Sequence, residues 1–193
     1  MNTGPGESIT DLLAALRRGD KLAADALFAS AYAQLRALAQ QQLAGRDSTS
    51  TIVPTELVHE AYMKMCHGRL PELADRRHFF AISARAMRQV LVDRARRRDA
   101  QKRSSEYVTL RTDIPQPDDE DAVDVLALDK ALNALAEVDA RKARAIELRV
   151  FGGMAFDDIA RLLEISRATL ARDYRAAEAW LYRAMQTSAE TAR

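Results

Sequence analysis

The chain has 193 residues, enough for one ordinary domain or two small ones. Glycine and proline are scarce, at 7 and 5 residues, so the composition favours helices and excludes a β-sandwich or a collagen-like chain. The single cysteine excludes an internal disulfide and a multi-cysteine zinc site. No apolar run is long enough to span a membrane and the start lacks a signal-peptide pattern, so we expect a soluble cytoplasmic protein.

The net charge is only +1, but the charges are segregated along the chain. Residues 85–103 hold eight basic and two acidic side chains, and residues 113–129 hold seven acidic and no basic ones. Residues 141–183 hold nine basic and six acidic side chains. Two basic segments on either side of an acidic one indicate a polyanionic partner that is contacted at two places. The alternative is a solvated charged surface.

Helical periodicity predicts the elements of the first part of the chain. Apolar side chains recur at helical spacing between Ile9 and Leu43, and residues 18–20 predict a break between two helices. The small polar residues 45–51 predict a loop. Pro54 suits the first turn of the next helix because its missing N–H would have no partner there.

A further helix is predicted from about Asp75 to Arg98, and its two halves differ in character. The first half is apolar, whereas the second half is crowded with arginines. Such a helix places one face in a hydrophobic core and one end against an anionic partner.

The chain then loses helical periodicity over residues 101–123, where two prolines and an acidic run are typical of an extended linker. Periodicity returns and continues to about Met185. We therefore predict an all-α fold of two small helical domains joined by an acidic flexible linker. The predicted boundaries are 1–100 for the first domain, 101–123 for the linker, 124–186 for the second domain and 187–193 for a tail.

The sharpest local pattern lies within residues 156–175. Ile159 belongs to the inner face of a short helix, Ile165 fills a turn, and Ser166 is a good N-cap for a second helix. This is the spacing of a DNA-reading helix-turn-helix, and the alternative is an ordinary α-hairpin with a basic face. Glu164 occupies the turn position that glycine usually fills, which predicts local strain. The expected DNA contacts are Ser166, Arg167, Thr169, Arg172 and Arg175.

Three segments of the chain resemble, in register, the extracytoplasmic-function (ECF) sigma factors of bacterial RNA polymerase. Residues 89–98 resemble the promoter-melting segment, and residues 135–183 resemble the C-terminal domain. Residues 54–62 are similar to the helix that grips the polymerase clamp. The resemblance covers residues 9–185 in collinear order.

The resemblance implies a transcription initiation factor that is not an enzyme and needs no cofactor. Its first domain would bind the β′ clamp helices of core RNA polymerase and open the minus-ten promoter element, and its second domain would read the minus-thirty-five element. The polymerase β subunit is a further implied partner. The implied polymerase contacts are Glu56, His59 and Glu60. The implied minus-ten contacts are Arg85, Arg88, Arg94, Arg96, Arg97 and Arg98, and the minus-thirty-five contacts are the five helix-turn-helix residues.

One departure from the family pattern suggests a form of regulation. ECF factors carry an acidic cluster where this chain has Val53–Glu56, and only Glu56 and Glu60 supply negative charge here. The hydroxyl-rich residues 48–51 come just before this helix, and a phosphate there would add about −1.5 to −2 charges. We therefore hypothesise that a Ser/Thr kinase phosphorylates Thr51 or, as second choice, Thr55. The chain also resembles the kinase-associated ECF subgroup; the alternative is that Thr51 is only a helix cap.

Other classes of function fit the sequence less well. The histidines and the cysteine have no metal-ligand spacing, and no nucleophile, base or phosphate-binding loop accompanies the carboxylates. A free-standing helix-turn-helix transcriptional regulator is the main alternative, and an adaptor that binds only proteins is another. The sequence leaves open whether the two domains pack together in the free protein.

Overall fold

The computed structural model describes residues 8–20, 22–44, 52–66, 74–105 and 118–191. Side chains are described within these ranges except at 102–105, 118–124 and 188–191. The described ranges contain eight α-helices and no strand, which confirms the predicted all-α class. The helices are α1 (Ile9–Arg17), α2 (Ala23–Leu43), α3 (Pro54–Cys66), α4 (Arg76–Ser105), α5 (Asp118–Val138), α6 (Ala140–Val150), α7 (Phe156–Leu162) and α8 (Arg167–Thr191).

Local chemistry explains where the first helices begin and end. Ser8 caps α1: its hydroxyl oxygen accepts from the Asp11 N–H at 3.2 Å, and the Asp11 carboxylate accepts from the Ser8 N–H at 3.3 Å. The predicted break after α1 is confirmed, and Gly19 makes the turn there with a φ of +92°. Pro54 is the first residue of α3, as its fixed φ and missing N–H predict.

The helices extend further than the sequence pattern indicates. Helix α4 continues to Ser105 and α5 begins at Asp118, so both ends of the predicted linker are helical. Helix α8 likewise continues to Thr191, into the predicted tail. Residues 106–117, the rest of the predicted linker, lie outside the described residues.

One hydrophobic core runs through both halves of the molecule. In the first half it includes Phe79, which contacts Phe80 edge-to-face at 5.4 Å between ring centroids. In the second half its largest fully buried members are Leu132, Leu135, Leu148, Ile159 and Leu170. Helix α4 packs against α3 on one side and against α5 and α6 on the other, so it belongs to both halves.

The contact between the halves is close at the turn that follows α6. A Cβ atom added to Gly152 would lie 3.1 Å from the Cβ atom of Ala84 in α4. The Gln42 side-chain amide in α2 donates a hydrogen bond to the Val150 carbonyl oxygen. The two predicted domains therefore pack together. Among the described residues, no helix has the length and apolar character that crossing a membrane requires.

Candidate nucleic-acid and polymerase interface

Helices α7 and α8 form the predicted helix-turn-helix. The Ile165 N–H donates to the Ala160 carbonyl at 3.0 Å and the Glu164 N–H donates to the Arg161 carbonyl at 3.3 Å, so α7 ends in a Schellman motif. Glu164 has a φ of +55°, which confirms the predicted strain at this turn. The Ser166 hydroxyl oxygen accepts from the Thr169 N–H at 3.0 Å and caps the first turn of α8.

The inner face of this motif is apolar and its outer face is basic. Ile159 and Leu170 are fully buried, as the sequence pattern predicts. Arg167, Arg172 and Arg175 are exposed. Arg167 lies 3.3 Å from Asp157 in a solvent-exposed ion pair, which stabilises little and is easily exchanged for a phosphate. The first half of α8 thus carries three exposed guanidinium groups, a chemical group that donates hydrogen bonds to phosphate oxygens and to guanine edges.

An ion pair between an exposed arginine and a buried carboxylate links α6 to α8. The Arg141 Nε–H donates to the Asp173 carboxylate at 2.9 Å, and Asp173 is buried. Arg149 donates to the Met154 carbonyl at 2.9 Å and stacks over the Phe156 ring. These two arginines of α6 therefore hold the helix-turn-helix in place.

The six arginines predicted to contact the minus-ten element have different surroundings in the structure. Arg85 and Arg97 are exposed on α4, and Arg98 is half-buried. Arg88 instead points into the seam between the halves, where its guanidinium group donates to Asp129 at 2.7 Å. Arg96 is exposed and also donates to Asp129, at 3.2 Å.

Arg94 has yet another set of partners, on α3. Its guanidinium group donates to the Glu60 carboxylate and lies 3.5 Å from the Glu56 carboxylate. The hydrogen bond from Arg94 lowers the pKa of Glu60 below its ordinary value of 4.5, and the same bond raises the pKa of Arg94. Both carboxylates predicted to bind polymerase are therefore paired with a cation of the same chain.

The predicted polymerase-binding residues share one face of α3. Glu56 and His59 are exposed, and Glu60 is half-buried. Thr55 is exposed in the first turn of the helix, whereas Thr51 lies outside the described residues. A cleft of about 460 Å³ is lined by Phe28, Tyr32, Thr55, Glu56, His59, Glu60 and Arg94.

Side-chain hydrogen bonds hold helix α3 against α2 and α4. The Tyr62 hydroxyl donates to the Ala24 carbonyl of α2 at 2.9 Å, and burial raises the pKa of Tyr62. Lys64 donates to Asp93 of α4 at 2.5 Å. The face of α3 that carries Glu56, His59 and Glu60 is therefore oriented relative to α2 and α4 by side-chain contacts as well as by the core.

Comparison with protein families identifies the class of protein to which these surfaces belong. The family model for the ECF sigma factor matches residues 6–187. The chain belongs to the ECF sigma factor family. It is thus a non-enzymatic alternative sigma factor that directs transcription, with core RNA polymerase and promoter DNA as partners. Searches of curated proteins and of solved structures found no match.

Sequence reasoning missed the acidic partners of Arg88 in this sigma factor. Asp129 is buried although it is charged, and it follows Leu128 and precedes Leu132 on a largely apolar face of α5. A carboxylate within such a face was a usable signal, because buried charges are almost always paired. Within the described residues, no group of three or more His, Cys, Asp or Glu side chains has an arrangement that could hold a metal ion.

Proposed function

We propose that this ECF sigma factor is activated by Ser/Thr phosphorylation beside its clamp-binding helix, and that it belongs to the subgroup associated with Ser/Thr kinases. The observation that carries the proposal is the pairing of Arg94 with Glu56 and Glu60. Because the guanidinium group offsets one of the two carboxylate charges, unmodified α3 offers a net charge of only about −1 from this group to a basic clamp surface. An added phosphate would supply that charge.

Two hydroxyl groups are candidates for the modification. Thr51 stays the first candidate from the sequence, because an accessible segment before a helix suits a kinase. Thr55 is the second, and its exposure in the first turn of α3 supports it. A phosphate at either position would be near the positive end of the α3 dipole, which favours negative charge.

We propose that each half has the role that the ECF family implies for it. We propose that the first domain, 1–100, binds the β′ clamp helices through Glu56, His59 and Glu60 and melts the minus-ten element. The second domain, 124–186, reads the minus-thirty-five element, and the polymerase β subunit completes the contact. The proposed minus-ten contacts are Arg85, Arg88, Arg94, Arg96, Arg97 and Arg98. The proposed minus-thirty-five contacts are Ser166, Arg167, Thr169, Arg172 and Arg175.

A core-polymerase pull-down with run-off transcription tests the activation step. Wild type, Thr51→Ala, Thr51→Glu, Thr55→Ala and Thr55→Glu are compared before and after treatment with a Ser/Thr kinase. We expect the Glu variant at the modified position, or kinase-treated wild type, to bind and initiate more strongly than untreated wild type. The Ala variant at that position should not respond to the kinase.

Thr10→Glu is a matched control for these variants. Thr10 is exposed at the second position of α1, as Thr55 is at the second position of α3. The Thr10→Glu substitution therefore adds the same charge as Thr55→Glu at an equivalent helix position, away from the clamp-binding face. Equal binding and initiation by all forms, treated or untreated, would refute regulation by phosphorylation while leaving the sigma-factor function intact.

A further inference from the structure

The guanidinium group of Arg88 is held by a network that joins the two halves of the molecule. Its Nε–H and Nη2–H groups donate to Asp129 Oδ1 at 3.0 and 2.7 Å, and Nη1–H donates to Glu147 Oε1 at 3.3 Å. Nη2 also donates to the side-chain oxygen of Asn133 at 2.8 Å and to the Asp129 carbonyl at 3.2 Å. Each of its three nitrogens therefore donates at least one hydrogen bond within the chain.

The acceptors of this network are buried and are shared with other cations. Asp129 and Glu147 are each 8% exposed. The second oxygen of Asp129 accepts from Arg96 at 3.2 Å, and Glu147 also accepts from Arg144. We call Arg88, Arg96, Asp129, Asn133 and Glu147 the Arg88 clasp.

The position of the clasp distinguishes it from an ordinary stabilising ion pair. Arg88 and Arg96 lie on α4, whereas their partners lie on α5 and α6, 41 and 59 residues from Arg88 along the chain. A buried ion pair contributes little net stability, because the attraction largely offsets the loss of hydration. Its larger effect is on specificity: it favours the one arrangement in which both charges are compensated.

We infer that the Arg88 clasp holds the free sigma factor in a closed form, in which carboxylates of α5 and α6 occupy the place of promoter phosphates on α4. The inference rests on the proposed role of Arg88 and Arg96 in binding the minus-ten element, but not on phosphorylation. Opening the clasp frees both arginines for DNA.

The surroundings of the clasp give DNA a way to compete for these arginines. A polar cleft of about 470 Å³ opens beside it, and Lys64 and Arg85 line this cleft together with Arg88 and Arg96. Three carboxylates, those of Asp93, Asp129 and Glu147, also line this cleft. Incoming phosphates would meet the exposed Arg85 and Arg96 first and would then displace Asp129. The arginines of α8 are exposed in the closed form, so the helix-turn-helix remains open to duplex DNA while α4 is closed.

A distance measurement on the full chain tests the closed form without altering the clasp. Nitroxide labels are placed on Cys66, which is exposed at the end of α3, and on Tyr182→Cys, which is exposed on α8. We expect pulsed electron paramagnetic resonance to show one narrow distance in the free protein. Adding a forked DNA of mixed sequence should lengthen or broaden that distance. The same measurement is made with Arg167, Arg172 and Arg175 changed to Gln, because these exposed arginines of α8 could bind the duplex arm of the fork while the clasp stays closed. If fluorescence anisotropy shows that this variant binds the forked DNA and its label distance is unchanged, the inference is overturned.

A clasp variant gives a second and independent test. Asp129→Asn keeps the shape of the side chain but removes the charge that holds both arginines. We expect it to broaden the label distance and to tighten binding of the forked DNA by at least about fivefold. Glu137→Gln is the control, because it removes one carboxylate from an exposed site on the same helix. If Asp129→Asn matches this control in distance and affinity, the clasp does not close the molecule.

The two proposals fail in different ways. If the kinase has no effect on binding or initiation, the phosphorylation proposal fails but the closed form does not, because the distance test uses neither kinase nor polymerase. A chain that is open in the free state, with a broad label distance, overturns the closed form but leaves activation by phosphorylation to be decided at the clamp.

Discussion

Glu164 holds the turn between α7 and α8 in a backbone conformation that is costly for a residue with a Cβ atom. Its φ of +55° lies in the left-handed region that glycine adopts freely. We expect Glu164→Gly to stabilise the protein by about 1 kcal/mol, measured by urea unfolding. Glu164→Ala removes the same charge but keeps the Cβ atom, and it should give no such gain. A glycine variant no more stable than the alanine variant would contradict this account.

The Arg94–Glu60 pair makes part of the stability dependent on pH. Because Arg94 lowers the pKa of Glu60 in the folded state below 4.5, the pair stabilises the protein above that pH. The stabilisation is lost as the pH falls through the lower folded-state pKa. We expect the difference in unfolding free energy between wild type and Glu60→Gln to shrink between about pH 6 and about pH 3.

A double-mutant cycle assigns this pH dependence to the pair. In an Arg94→Gln background the same Glu60→Gln change should show a much weaker trend, because the cation that lowers the pKa is absent. Urea unfolding at a series of pH values measures all four proteins. A difference that grows on acidification would show that the sign is wrong.

The sequence predicts the starts of some helices correctly, but it does not predict the contacts between helices. The start of α3 at Pro54 and the Ser166 cap of α8 depend on residues within one turn, so local patterns predict them. Helix α4 shows the limit: its arginines predict an anionic partner, but the sequence does not predict that Arg88 and Arg96 pair with Asp129 of the same chain. Periodicity carries no information on a pairing across 41 residues, which only the packing of α4 against α5 decides.

Ser166 caps α8 and so contributes to the stability of this helix. Ser166→Ala removes the acceptor for the Thr169 N–H and should cost about 1 kcal/mol of stability. Ser166→Asp should restore the stability, because a carboxylate caps the helix and is favoured by its dipole. The same Asp should weaken binding of a mixed-sequence duplex, since it adds negative charge beside Arg167. An Ala variant as stable as wild type in urea would contradict the capping role.

The two halves of the whole molecule are joined by apolar packing and by charge together. Ala84 of α4 is buried and approaches Gly152 so closely that a Cβ atom on the glycine would be crowded. The Arg88 clasp lies on the α5 and α6 side of the same helix. Sequence analysis predicted two domains but not their contact, because the residues that make it come from helices distant in the chain.

Calorimetric unfolding tests whether the two halves of the molecule unfold together. Because one core runs through both halves, wild type should unfold in a single calorimetric transition. Arg88→Ala removes the cation that Asp129 and Glu147 share and leaves them with Arg96 and Arg144, so we expect a cost of about 3 kcal/mol, the low end for a broken buried pair, if the halves stay together. The halves can relieve that cost by separating, which exposes both carboxylates to water. We therefore expect the transition of Arg88→Ala to split in two.

Arg141→Ala is the control for that experiment. It removes the cation from another buried carboxylate, Asp173, but the pair lies between α6 and α8 within one half. It should lower the unfolding temperature without splitting the transition, because the seam between the halves is untouched. A single, uniformly shifted transition for Arg88→Ala would show that apolar packing alone joins the halves. Two transitions already present in wild type would show that the shared core does not couple them.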